Sequence, residues 1–104
     1  MEILQTTVFQ RWEQNLRDRR AKTLIAARLF RLPNGLAGDV KPVGEGVSEI
    51  RISYGPGYRI YFKQHGCHII ILLCGGDKSS QANDITLAKV LARSLDYQET
   101  FRHE

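Results

Sequence analysis

Residues 47–74 read VSEIRISYGPGYRIYFKQHGCHIIILLC. Three apolar-rich segments, 47–54, 58–65 and 68–74, are separated by turns that contain glycine. Successive side chains of a strand point to opposite faces. In the first segment Ile50, Ile52 and Tyr54 therefore share one face, and Glu49, Arg51 and Ser53 the other. In the second, Tyr58, Ile60 and Phe62 oppose Arg59, Tyr61, Lys63 and His65. In Gly55-Pro56-Gly57, proline sets φ and glycine admits positive φ, so this tripeptide reads as a turn. Such tight connections predict antiparallel neighbours. The third segment, HIIILLC, is apolar at consecutive positions, as in a central strand covered on both faces.

Working outward, residues 2–6 read as a short first strand. Thr7-Val8-Phe9-Gln10 fits a capping box, and Phe9, Trp12 and Leu16 follow at helical spacing. A second helix over 20–32 puts Ala21, Ile25, Leu29 and Leu32 on one face. Pro33-Asn34-Gly35 stops it. The two helices are expected to form a hairpin. Residues 34–46 read as a loop with a short edge strand near 40–43. Gly75-Gly76-Asp77-Lys78-Ser79-Ser80 ends the central strand. A last helix follows, capped by Ser79 or Ser80, with Ile85, Ala88, Ala92 and Leu95 on one stripe. The order is strand, two helices, a three- or four-stranded meander, then a helix. That is an α+β pattern in one domain over residues 1–104.

The chain has 104 residues, 42% hydrophobic and 25% charged, which suits a folded domain rather than a disordered one. Fifteen Lys and Arg against eleven Asp and Glu give a net charge of +4. The excess is local. Arg11, Arg17, Arg19, Arg20, Lys22, Arg28 and Arg31 face only Glu13 and Asp18. A polyanion is thus a better partner than a cation. No signal peptide is visible at the start, and the longest apolar run is too short to span a bilayer. Cys67 and Cys74, seven apart in one expected strand, cannot bridge. Free thiols predict a cytoplasmic protein.

Glu49, Arg51, Arg59, Tyr61 and Lys63 are expected on one surface of the sheet, because both apolar sets must face the core. Two readings of that surface stay open. One is a solvated face with cross-strand Glu–Arg pairs. The other is a polyanion site, in which arginine forks bind phosphate, Tyr61 stacks a base and Glu49 accepts a proton. Lys78 lies just past the central strand, within reach of the same surface. GGDKSS lacks the P-loop spacing. The scattered His65, His68 and His103 predict no metal site, and no nucleophile motif is present.

Three stretches together carry a resemblance: FQRWEQNLRD (9–18), GDVKPVGEGVSEIRISYGPGYRIYF (38–62) and ILLCGGDKSSQANDI (71–85). The chain resembles the RelE/ParE toxin superfamily of type II toxin–antitoxin modules, and within it the HigB-like addiction-module killer proteins. The resemblance implies two N-terminal helices packed on a small twisted antiparallel sheet, with a C-terminal helix. It implies a ribosome-dependent mRNA endoribonuclease that needs no cofactor or metal. In such an enzyme the ribose 2′-OH attacks the adjacent phosphate. Its partners would be the ribosome, mRNA and a cognate antitoxin of helix-turn-helix type, with no membrane involved. By motif, Arg59 matches the arginine that stabilises the pentavalent phosphorane, Lys78 a basic catalytic position at the end of the central strand where many relatives have Arg, and Glu49 and Arg51 catalytic strand positions. Tyr61 and Lys63 would bind substrate. Relatives carry a Tyr or His shortly after the position of Lys78, whereas this chain reads Gln81-Ala82-Asn83-Asp84. His103 or Tyr97 in the tail, or Lys63, would replace that group, or nothing would. The same superfamily also offers a ParE-like gyrase inhibitor, and a non-toxic basic interaction domain is a further alternative.

Overall fold

The computed structural model describes residues 1–95 and 99–103. The chain runs β1 (Glu2–Gln5), α1 (Thr7–Gln14), α2 (Arg19–Arg31), β2 (Val40–Gly44), β3 (Val47–Ile52), β4 (Tyr58–His65), β5 (Ile69–Asp77), α3 (Gln81–Arg93) and β6 (Phe101–Arg102). Short 3-10 turns follow α2 and precede α3.

The small antiparallel sheet is replaced by a six-stranded mixed one, ordered β2-β3-β4-β5-β1-β6. β1 pairs in parallel with β5, and β6 pairs antiparallel with β1. β5 is therefore an inner strand between β4 and β1, which satisfies the backbone groups of its apolar run on both sides. The helices do not all sit on one side. α1 and α2 cover one face, burying Phe9, Ile25 and Leu29 against Ile50, Ile60 and Leu72. α3 covers the other, burying Ala88 and Ala92 against Tyr61, Ile71 and Leu73. The expected C-terminal helix is present as α3, and the two-residue β6 follows it and extends the sheet beyond β1.

Local boundaries shift for identifiable reasons. Thr6, not Thr7, caps α1. Its backbone is extended, and its hydroxyl accepts from Phe9 N–H while donating to the Leu73 carbonyl at 2.6 Å. β5 runs on through both glycines to Asp77 rather than stopping at Cys74. Its pairing with β4 carries a bulge, since Leu72 lies opposite Phe62 and Cys74 opposite Tyr61, leaving Leu73 extra. A bulge reverses the in–out alternation beyond it. Leu73 and Cys74 consequently both pack toward α3. Ser80 precedes α3 without a side-chain cap bond, and Asp77 forms the capping box of the preceding turn. Cys67 lies in the exposed β4–β5 turn and Cys74 in the core, both as free thiols. Among the described residues, no helix is long and apolar enough to cross a membrane.

Candidate functional site

The register pairs Glu49 with Tyr61, Arg51 with Arg59 and Val47 with Lys63, so the charged row does share one face. That face is not open along its length, because α3 lies across its middle. Glu49 is 1% exposed and Tyr61 fully buried. The Tyr61 hydroxyl donates to Glu49 Oε2 at 2.9 Å, and Gln81 Nε2, from the first turn of α3, donates to the same oxygen at 2.8 Å. Burial, followed by the hydrogen bond and charge of Glu49, pushes the Tyr61 phenol far above its ordinary range. The expected general base and stacking ring are thus joined beneath a helix, away from solvent. Lys63 lies beyond this plug, four residues from Arg59 and so about 13 Å along the strand.

Arg51 is also committed. Its guanidinium grips Asp39 through two bonds, of 3.1 and 2.9 Å. The hydrogen bond and charge of Arg51 hold the Asp39 carboxyl below the usual carboxylate range. Arg28 of α2 donates to the Arg51 carbonyl at 2.8 Å and to the Ala37 carbonyl, which fixes this loop to the helix.

Arg59 and Lys78 come together instead. They line a cleft of about 280 Å³ with Ser53, Tyr54, Gly55, Pro56 and Gly57. Neither forms an ion pair with any described residue. Arg59 Nε is enclosed by protein and has no hydrogen-bond partner. Local sequence explains why the two cations meet. Gly57 has φ +78°, and a Cβ there would lie 3.3 Å from Lys78 Cβ and 3.9 Å from Arg59 Nη1. Glycine therefore lets the turn approach both residues. Lys78 N–H donates to the Pro56 carbonyl at 3.4 Å. Asp77 accepts from Ser79 N–H and Oγ at 2.8 and 2.5 Å, which orders the turn and keeps the Asp77 carboxyl below its ordinary range.

GGDKSS is thus a packing device. A Cβ on Gly75 would lie 2.4 Å from the Trp12 ring, and one on Gly76 would lie 1.9 Å from Asp84 Oδ2. Glycine at both positions lets α1 and α3 close on the two faces of β5, and Lys78 emerges from between them.

Other expected groups lie elsewhere. His103 Nε2 bonds to both oxygens of Glu13, at 3.0 and 3.1 Å. It follows β6, three strand spacings from β4 and so about 14 Å away, too far to serve the cleft. Tyr97 is outside the described residues. No three His, Cys, Asp or Glu of the described residues are placed to hold a metal ion. Sequence reading missed Tyr54, whose hydroxyl donates to Asp18 Oδ2 at 2.8 Å, and Arg20, whose guanidinium stands 5.6 Å from the Tyr54 ring centre. Strand parity put Tyr54 on the core face, and the ring does pack against that core, but its contacts across 36 residues leave no local trace.

The fold and cleft define an α+β protein with a mixed six-stranded sheet and, where the β3–β4 turn meets the end of β5, two cations without an ion pair among the described residues. The chain belongs to one family with an uncharacterized protein of Haemophilus influenzae. The two are 47% identical over 95 residues, spanning 91% of this chain and 96% of that protein. No family model matches.

Proposed function

We propose that this protein is the toxin of a type II toxin–antitoxin pair, a ribosome-dependent endoribonuclease that cuts mRNA in the cytoplasm and arrests translation. The observation that carries this reading is the meeting of Arg59 and Lys78, neither in an ion pair with a described residue, in a cleft at the end of the central strands. The resemblance of 38–62 and 71–85 to RelE/ParE-type toxins supports it. In the reaction, the ribose 2′-oxygen bonds to phosphorus as its proton departs. The bond from phosphorus to the 5′-oxygen breaks, and that oxygen takes up a proton. The products are a 2′,3′-cyclic phosphate and a 5′-hydroxyl. Negative charge accumulates on the non-bridging oxygens midway, and a guanidinium and an ammonium held in place stabilise it more than they stabilise the starting diester. In this scheme Arg51 anchors the segment before β2 through Asp39, and Glu49 and Tyr61 hold α3 in place. A helix-turn-helix antitoxin would be the partner.

Brief expression in bacteria tests the reading. Mapping of mRNA 5′ ends should show cuts inside translated codons, and Arg59→Ala should lower cleavage by about 10²–10³-fold with the fold intact. An SOS response with intact mRNA would instead point to gyrase and overturn the proposal. Unimpeded growth and translation would overturn it as well.

A further inference from the structure

Tyr54 is the aromatic ring at the cleft. β3 ends at Ile52, and Tyr54 follows on a bend that forms the cleft's lip. Two contacts hold it. Its hydroxyl is tied to Asp18 Oδ2, and the other oxygen of that carboxylate caps α2 by accepting from Arg20 and Ala21 N–H at 2.9 and 3.2 Å. The planar guanidinium of exposed Arg20 stands over the ring. Tyr61, the ring that strand parity favours for stacking, is fully buried.

We propose that Tyr54 and Arg20 form a stacking slot for the base of the nucleotide whose phosphate lies on Arg59 and Lys78. This rests on the cleft being an RNA phosphate site. A base is a flat ring, and both an aromatic side chain and a guanidinium plane stack on one. Arg20 is long and exposed, so it can lift to admit the base and close over it as the third layer. The rest of the lip is Ser53, Gly55, Pro56 and Gly57, of which only the short Ser53 side chain carries a donor or acceptor. The slot therefore discriminates little between bases. It takes single-stranded RNA and rejects a duplex, whose bases are already stacked on one another.

The test uses a fluorescein-labelled single-stranded hexamer, 2′-O-methylated throughout so that it lacks the attacking hydroxyl, read by fluorescence anisotropy. Tyr54→Ala should weaken binding about tenfold or more, whereas Tyr54→Phe, which keeps the ring and loses the Asp18 bond, should bind nearly as wild type. Moving a single abasic site along the hexamer should find one position at which the Tyr54→Ala penalty disappears. The inference is overturned if Tyr54→Ala binds like wild type. It is equally overturned if the penalty persists with every abasic position, or if a duplex of the same length binds as tightly. Arg59→Ala and Lys78→Ala are measured alongside. If both bind like wild type while Tyr54→Ala does not, the phosphate reading falls and the stacking slot stands. If only the cation variants lose binding, the slot falls and the phosphate reading stands.

Discussion

Glu49 shows how far a residue's type can mislead about its task. A carboxylate two residues from Arg51, on a strand face that also carries Arg59 and Lys63, has the chemistry of a general base. In the fold it is a buried acceptor shared by Tyr61 and Gln81, which ties β3, β4 and α3 together. Glu49→Ala would leave a buried hydroxyl and an amide without their acceptor, which costs about 1–3 kcal/mol. Urea unfolding should register that loss. A variant as stable as wild type but unable to cleave RNA would return Glu49 to the chemistry. The two thiols separate on the same scale. Burial, then the charge of Asp84, pushes Cys74 up to about 12, while Cys67 is exposed. A thiol reagent at about pH 8, near the ordinary cysteine pKa, should label Cys67 alone in the native protein and both cysteines in urea. Rapid native labelling of Cys74 would mean that α3 opens readily.

β5 is where the elements are organised. Its apolar run identifies it as an inner strand, but the run does not predict the bulge at Leu73 or the continuation to Asp77. Glycine pairs ordinarily signal a strand's end. Here the strand continues through them, with the Trp12 ring against one face at a distance that leaves no room for a side chain and the Asp84 carboxylate against the other. Trp12 cannot retreat easily, since Phe9 and Tyr58 pack against it with ring centres 5.7 and 6.3 Å away. Gly75→Ala should therefore destabilise the fold by about 1–3 kcal/mol through overpacking, measured by denaturant titration with Trp12 fluorescence as the probe. Unchanged stability would mean that α1 is free to move off the strand. The elements around β5 were largely legible, because helical spacing and strand alternation are local. The partner of β1 was not, since a four-residue strand has no pattern that distinguishes a parallel neighbour far along the chain from an antiparallel one nearby.

Across the whole molecule, charge is used more for holding elements together than the composition suggests. Asp18, Asp39 and Asp77 each have a carboxyl below its ordinary range: Asp18 through Tyr54 and the α2 cap, Asp39 through Arg51, and Asp77 through Ser79. A folded-state pKa below the unfolded value contributes stability that is complete above the unfolded value, about 3.9 for aspartate. The contribution is lost as pH falls through the folded value. The urea midpoint should therefore be nearly flat from neutral pH to about 5 and fall progressively below about 4. In Asp39→Asn the fall should be shallower, because one of the three linked groups is gone. An unchanged acid slope in that variant would remove Asp39 from the account.

The sequence by itself determined which residues face the same way. Side-chain direction along a strand is a property of the local backbone, and Glu49, Arg51, Arg59, Tyr61 and Lys63 obey it. Only the tertiary structure decided which of them meet solvent. α3 plugs the middle of that face, Asp39 engages Arg51, and the approach of the glycine turn to Lys78 leaves Arg59 with an unpaired neighbour of like charge. Burial and pairing depend on what arrives from distant parts of the chain, and no local pattern carries that information.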